Sequence, residues 1–258
     1  MSIYKTEIAS DKILSDNPIH QRLLKPYTVV KAAISGDILE LGCGEGRGIE
    51  HLLERVSSYL GMDKIDKVIR KLKTKYPEAK FIRSMFPPMD HLKSESFDHI
   101  ISFQVIEHIR NDRLFLEEIY RLLKCGGVAV ITTPNIKMSL SRNPWHVREY
   151  TARELADLAG DIFDEVVACG ITGNEKVMRY YEDNKKSVAK IMKYDVYDLQ
   201  HRLPAFILKV PYEFLNRINR NRLKKGDDKL VGSISYEDYI VTENPDNSLD
   251  LLYYLHKK

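Results

Sequence analysis

The stretch Ile38-Leu-Glu-Leu-Gly-Cys-Gly-Glu-Gly46 decides the fold class of this chain. Its apolar residues predict a buried β-strand over 37–41, and this strand runs directly into three glycines, Gly42, Gly44 and Gly46. Glycines at such a turn let the backbone reverse sharply and approach a ligand closely, with the N-terminus of the following helix facing the ligand. The stretch therefore predicts a ligand-binding loop at the carboxyl end of a strand.

The spacing of these glycines excludes two common nucleotide-binding loops. The dinucleotide pattern Gly-x-Gly-x-x-Gly fails, because Arg47 or Ile49 stands where its last glycine should be. The phosphate-binding pattern Gly-x-x-x-x-Gly-Lys-Ser/Thr does not occur in the sequence. Instead, Glu40 lies just before the loop and Asp63 ends the next predicted strand. The carboxylate of Asp63 can accept hydrogen bonds from ribose hydroxyls, and Glu40 suits a ligand that carries positive charge.

Strands and helices alternate along most of the chain. Besides the first strand, apolar runs predict strands at 59–62, 80–83, 97–102, 127–133 and 164–171. Helical patterns are found at 49–56, 64–75, 111–124 and 151–159, the last opened by a capping box of Thr151 and Glu154. Such alternation predicts an α/β fold with a doubly wound parallel sheet, in which ligands bind at the carboxyl ends of the strands.

The end of the chain departs from this alternation. Residues 173–230 are predicted to be helical with breaks at Pro204 and Pro211, and two strand-like runs follow at 234–241 and 250–256. Residues 173–230 hold fourteen basic and eight acidic side chains, a net charge of +6, whereas the whole chain has a net charge of only +3. The segment is therefore a separate compositional region.

Composition predicts a globular protein of a reducing compartment. The 258 residues are 43% hydrophobic and 30% charged, which argues against a disordered chain. The sequence has no apolar run of the roughly 18 to 20 residues that cross a bilayer, and residues 1–12 lack the apolar core of a signal peptide. Cys43, Cys125 and Cys169 lie too far apart to predict a disulfide framework or a cysteine zinc site. We expect a cytoplasmic location, and the net charge is too small to indicate a nucleic-acid partner.

Several motifs together resemble the class I S-adenosylmethionine-dependent methyltransferases, including their small-molecule and ubiquinone-pathway members. The first motif of that family is similar to Glu40-Leu-Gly-Cys-Gly-Glu-Gly46, and the acidic end of its second strand is similar to Gly61-Met-Asp63. Two further matches, at 96–108 and 122–128, cover the fourth strand with its loop and the turn before the fifth strand. Cys125 departs from the family, which usually has proline there.

The resemblance implies an architecture for the whole chain. It implies a Rossmann-like, doubly wound sheet of seven strands whose last strand is antiparallel, with 250–256 as that strand. We expect residues 1–172 to form the cofactor-binding core and residues 173–230 a basic helical insertion or lid between strands six and seven. Residues 231–258 would complete the sheet.

The resemblance also implies the cofactor, S-adenosylmethionine, and its binding residues. Gly42 and Gly44 would pack against the methionine part, Asp63 would hold the ribose, and Gln104 would line the methionine end. Met85 stands near the place where the family often has an acid for the adenine, so it is expected to pack on the ring instead. The residues expected to bind the cofactor are Glu40, Gly42, Cys43, Gly44, Asp63, Met85 and Gln104.

Two histidines are candidates for a catalytic base. His108 follows the fourth strand next to Glu107, and His146 lies in a loop after the fifth strand. Histidine suits proton transfer near neutral pH, although each ring could instead serve only to order its loop. We therefore predict Glu107, His108 and His146 as catalytic residues. With Gln104 they could also form a metal site, as similar loops do in ubiquinone-pathway and small-RNA methyltransferases, but glutamine replaces an acid here and we expect no metal ligand.

The predicted activity is O-methylation of a small or lipid- or glycan-linked metabolite. Two alternatives stay open: a metal-assisted RNA 2′-hydroxyl methyltransferase, and a non-catalytic scaffold that binds the nucleoside. The expected partner is a small-molecule substrate, without nucleic acid. Residues 203–225 are apolar and then basic, which predicts either a lid or peripheral contact with an anionic lipid or an anionic substrate.

Overall fold

A computed structural model describes residues 13–195 and 197–258, and a single β-sheet of eight strands forms the centre of these residues. Residues 1–12, on which the expectation about a signal peptide rests, lie outside the described part of the chain. The strands are β1 Asp37–Leu41, β2 Ser58–Asp63, β3 Lys80–Arg83, β4 Phe97–Phe103, β5 Leu123–Pro134, β6 Glu165–Gly173, β7 Tyr239–Thr242 and β8 Asp250–His256. Their order in the sheet is β3-β2-β1-β4-β5-β8-β6-β7.

Helices cover both faces of the sheet. They are α1 Asn17–Val30, α2 Ile49–Leu52, α3 Asp66–Lys75, α4 Asp112–Leu122, α5 Ala152–Gly160, α6 Glu175–Met192, α7 Leu199–Arg202, α8 Ala205–Gly226 and α9 Asp228–Ser233. Alternate residues of β1 enter the two hydrophobic cores, with Ile38 on one face and Leu39 on the other. This alternation is the one expected for a strand that is buried on both sides.

The observed sheet has eight strands, one more than the seven that were predicted. β8 is antiparallel, as the resemblance implies, and it lies between β5 and β6, but β7 adds an eighth strand that pairs antiparallel with β6. The predicted strand 234–241 is therefore only partly correct, because Ser235 and Asp238 form a capping box that keeps the preceding residues out of the sheet. Because β7 covers the edge of β6, a row of backbone groups that would otherwise be unpaired is removed from solvent.

Two proline-containing helices were mispredicted. Helix α1 was not predicted, although Asn17-Pro18 is typical of a helix start, and it continues through Pro26. Pro204 does precede α8, but the predicted break at Pro211 is wrong, since α8 continues through it. Pro211 lies on the exposed side of α8, where water can satisfy the carbonyl group left without a donor. None of the helices in the described ranges is long and apolar enough to cross a lipid bilayer.

Candidate active site

The glycine loop after β1 is fixed to the ends of two neighbouring strands. The backbone N–H groups of Gly42 and Cys43 both donate to the carbonyl of Met62 at the end of β2, at 2.8 and 3.0 Å. Gly42 has φ +80°, and a Cβ atom there would lie 2.4 Å from Cγ2 of Val105, which follows β4. Only glycine accommodates both the left-handed backbone and this close approach.

Asp63 holds the loop from the other side. Its Oδ2 atom accepts a hydrogen bond from the N–H of Gly44 at 3.0 Å, and its Oδ1 accepts from the N–H of Ile65 at 2.9 Å. Each carboxylate oxygen keeps a second lone pair for a ligand hydroxyl. A Cβ atom on Gly44 would meet nothing nearer than the carbonyl of Gly42 at 4.0 Å, so open space borders the loop. The carboxylate of Asp63 therefore fits a ribose, and the open side of the loop fits the adjoining methionine part of S-adenosylmethionine.

Glu40 lies behind the loop. It is 1% exposed, and its two oxygens accept hydrogen bonds from the hydroxyls of Tyr27, at 2.6 Å, and Tyr59. Burial raises the pKa of Glu40 to about 7, although the two tyrosine hydroxyls oppose the increase. Its charge would act on a cationic ligand through the field rather than by contact, and its cofactor role stays a prediction.

The shifted pKa of Glu40 predicts a pH-dependent stability. An acid whose pKa is raised from 4.5 to about 7 by folding stabilises the fold below pH 4.5, and this contribution is lost as the pH rises to 7. The loss amounts to about 3 kcal/mol at 1.36 kcal/mol per pKa unit. We expect Glu40→Gln to gain stability relative to the wild type between pH 5 and pH 8, measured by thermal unfolding. The exposed Glu54→Gln should show no such trend, and parallel curves for Glu40→Gln and the wild type would contradict the prediction.

The other predicted cofactor residues differ in their surroundings. Cys43 is buried, and burial raises the pKa of its thiol. Met85 is 81% exposed and so could cover a flat ring. Gln104 has the left-handed φ of +58°, and its N–H donates to the carbonyl of Thr132 at 2.9 Å. A non-glycine residue in this conformation is strained, a condition that is common at functional sites.

A cavity of about 310 Å³ lies at the carboxyl ends of β4 and β5. Its walls come from α1, from the loops after β4 and β5, and from α6 and α8 of the helical segment between β6 and β7. Gln104, Glu107, His108 and His146 all line it. The structure thus brings all three predicted catalytic residues into one cavity together with Gln104, as expected for loops that meet at the carboxyl ends of adjacent strands.

Three side chains form a tight group in this cavity. The potential ligand atoms of Glu107, His108 and His146 all lie within 4.8 Å of one another, and the two imidazole rings meet edge to face with centroids 5.0 Å apart. The amide nitrogen of Gln104 is 3.4 Å from Oγ1 of Thr132, a long contact for a hydrogen bond. The cluster of three could exchange protons or hold a divalent ion.

The two histidines have different hydrogen-bond partners. His108 donates from Nδ1 to the carbonyl of Trp145 at 2.9 Å, so the neutral ring carries its lone pair on Nε2. In His146, Nδ1 donates to Oε1 of Glu149 at 2.7 Å and Nε2 accepts from the amide of Asn143 at 2.9 Å. The amide orientation of Asn143 follows from its Oδ1 atom, which accepts from the N–H of Trp145. His146 is therefore held by hydrogen bonds at both nitrogens.

Glu107 is buried beneath the two rings. It is 1% exposed, and its Oε2 accepts a hydrogen bond from the hydroxyl of Thr133 at 2.9 Å. Burial raises the pKa of Glu107 to about 7, while the nearby His146 opposes the increase. A carboxyl group with this pKa can exchange a proton near neutral pH.

Several residues of the cavity were not predicted from the sequence. Arg22 of α1 lines the wall and forms a salt bridge with the buried Asp250, donating from Nε to Oδ2 at 2.5 Å. Asn219 of α8 is 5% exposed, and its Oδ1 has no hydrogen-bond partner among the described residues. Asp250 is 228 residues from Arg22 in the chain, so no local pattern could have paired them.

The basic run at the end of α8 is partly structural. Asp16 is fully buried, and Arg217 donates to both of its oxygens, at 2.9 and 3.1 Å. Arg220 contacts the same carboxylate at 3.3 Å. Two of the five basic residues between 217 and 225 thus attach α8 to the segment before α1, and the sequence alone could not separate them from the other three.

Comparisons with known proteins find similarity to methyltransferases. Residues 39–131 match the family model described as "Methyltransferase domain". A "probable S-adenosylmethionine-dependent methyltransferase" of Mycolicibacterium smegmatis is 35% identical over 127 residues, which are 47% of this chain and 49% of the relative. The mitochondrial ubiquinone biosynthesis O-methyltransferase of Rattus norvegicus is 30% identical over 112 residues, 38% of this chain and 30% of the relative. The chain thus spans about half or less of the length of these relatives.

A solved structure supports the fold over nearly the whole chain. It is an S-adenosylmethionine-dependent methyltransferase of Thermotoga maritima, described as a possible histamine N-methyltransferase. The TM-score is 0.57 at 16% identity, and the match covers 93% of this chain and 92% of that one. At this identity the likeness concerns the fold alone.

Proposed function

Because residues 39–131 form a methyltransferase domain of the class I S-adenosylmethionine-dependent family, we propose that the chain methylates a hydroxyl oxygen of a small or lipid- or glycan-linked metabolite. The observation that carries the proposal is the group of Glu107, His108 and His146 in one cavity at the carboxyl ends of β4 and β5. An oxygen acceptor is the kind that needs a base, and this group supplies one. The similarity to an O-methyltransferase of ubiquinone biosynthesis supports the same choice.

The chain's own residues would hold the cofactor at the glycine loop. The carboxylate of Asp63 would accept the ribose hydroxyls, and the open side of Gly44 would admit the ligand. When bound, S-adenosylmethionine supplies an electrophilic methyl group on a sulfonium. Gln104 would separate the cofactor site at the glycine loop from the acceptor cavity, because its strained backbone is held by Thr132.

The proton of the acceptor hydroxyl would pass to Nε2 of His108. The Trp145 carbonyl fixes the tautomer in which this nitrogen carries the lone pair. The Glu107 carboxylate would stabilise the resulting imidazolium, since opposite charges a few ångströms apart in a buried site attract strongly. His146 would act as a positioning residue, held by Glu149 and Asn143.

The test is cofactor binding followed by an acceptor screen. Calorimetric titration with S-adenosylmethionine and with its demethylated product should show binding of both. Release of demethylated cofactor should then be measured with phenols, catechols, glycosides and lipid-linked sugars, with and without a chelator. We expect turnover with a hydroxyl compound that survives chelation.

The same experiment distinguishes the alternatives. Turnover that needs a divalent ion and RNA would replace the proposal with a metal-assisted RNA 2′-hydroxyl methyltransferase. Cofactor binding without turnover across the whole panel would favour a non-catalytic scaffold. Absence of binding to either ligand would contradict the cofactor assignment itself.

A further inference from the structure

Helix α8 exposes large apolar side chains to solvent. Phe206, Val210 and Phe214 are 74%, 76% and 65% exposed, and Ile207 and Ile218 are 46% and 47% exposed. Single exposed apolar residues are ordinary, but a contiguous apolar group on one helix marks an interaction surface. We call these five residues the α8 apolar face.

The apolar face is the outward side of an inverted amphipathic helix. Phe206, Val210 and Phe214 are spaced four residues apart, which places them on one side of an α-helix. The opposite side of α8 carries polar residues that line the acceptor cavity, namely Tyr212, Asn216, Asn219 and Arg220. An ordinary surface helix turns its apolar side toward the protein. Here the cavity accounts for the inward polar side, and the outward side requires a partner of its own.

Charge indicates the chemistry of that partner. Arg222 and Lys225 are exposed at the end of α8, and Lys229 is exposed in α9. Glu213 is the single acid within α8, and residues 173–230 carry a net charge of +6. Two copies of this segment would repel each other, whereas a surface that is both apolar and negatively charged would satisfy both features. Such a surface is an anionic lipid bilayer.

We propose that the α8 apolar face, flanked by Arg222, Lys225 and Lys229, docks the protein on an anionic lipid membrane. The apolar side chains would enter the interface between headgroups and acyl chains, and the basic residues would contact the headgroups. Arg217 and Arg220 take no part, because Asp16 holds them. Docking of this kind is peripheral and does not depend on methyl transfer.

The test is co-sedimentation of the full chain with vesicles. We expect binding to phosphatidylcholine vesicles that contain phosphatidylglycerol to be at least about tenfold stronger than to phosphatidylcholine alone, since anionic headgroups attract basic residues near the surface. Replacing Phe206, Val210 and Phe214 together by serine should reduce binding by about tenfold or more. Arg222→Glu with Lys225→Glu should weaken binding to the anionic vesicles only.

A matched control is the pair Val167→Ser and Ile240→Ser, which removes apolar side chains that are 40% and 47% exposed on strands β6 and β7. This variant should bind like the wild type. Thermal unfolding and cofactor binding establish that all variants are folded. Failure of the wild type to sediment with anionic vesicles would overturn the proposal, as would unchanged binding of the triple serine variant. Light scattering could instead show that the wild type is a dimer and that the triple serine variant is a monomer. This result would overturn the proposal and assign the α8 apolar face to a second copy of the chain.

Discussion

Asp63→Ala is expected to weaken the binding of S-adenosylmethionine and of its demethylated product by about 100-fold or more. The substitution removes the carboxylate proposed to accept two ribose hydroxyls, and hydrogen bonds to a charged group contribute about 1.5 to 3 kcal/mol each. Each 1.4 kcal/mol corresponds to about a tenfold change in affinity. The same carboxylate also accepts the N–H groups of Gly44 and Ile65, so the loop itself loses order. Calorimetric titration measures the effect directly.

The control for Asp63→Ala is Asp66→Ala, three residues along the chain. Asp66 is partly exposed in the first turn of α3 and forms a salt bridge with Arg70. Its loss should leave cofactor affinity nearly unchanged. Asp63→Asn retains one carbonyl oxygen and should give an intermediate affinity. Wild-type affinity in Asp63→Ala would show that the ribose is held elsewhere, and the assignment of the loop would then be wrong.

His108→Asn is expected to lower kcat by about 10² to 10⁴-fold on an acceptor found in the screen, which is the usual contribution of a general base. The asparagine amide can still donate to the Trp145 carbonyl, so the loop after β4 should keep its shape. Cofactor affinity should be unchanged. Because the lost group is the one that takes the proton, the pH dependence of kcat should also change.

His146→Gln is the comparison for His108→Asn. We expect a smaller loss, because both nitrogens of His146 serve hydrogen bonds within the protein and the ring acts only through its neighbours. If His146→Gln lowered kcat as much as His108→Asn and also changed the pH dependence of kcat, then His146 would be the base and His108 the positioning residue. If neither substitution affected kcat, the acceptor would need no base from this group.

The parts of the site that lie close together in the sequence could be predicted from it. The glycine loop and the loop after β4 each follow a strand directly, Asp63 is the last residue of β2, and strands β1, β2 and β4 formed where the apolar runs predicted them. The capping box of Thr151 and Glu154 is also present at the start of α5. Such features depend on hydrogen bonds and burial over a few residues, so their pattern is visible without the fold.

The parts that depend on distant residues could not be predicted. Sequence reasoning treated His108 and His146 as equal candidates and could not show that Nδ1 of His108 donates to the carbonyl of Trp145, 37 residues away along the chain. It treated the basic residues at the end of α8 as one group, whereas the buried Asp16 takes two of them, about 200 residues away along the chain. These pairings follow from packing between elements, which no local pattern records.

The sequence by itself determined the fold class, the glycine loop and the acids that accompany it, because backbone conformation and strand burial are encoded by neighbouring residues. Tertiary structure alone decided which side of α8 faces the cavity, that Nδ1 of His108 donates to the Trp145 carbonyl, and why Glu40 and Glu107 have raised pKa values. Burial and hydrogen bonding between distant segments set all three, since a side chain's environment comes from whatever the fold packs against it.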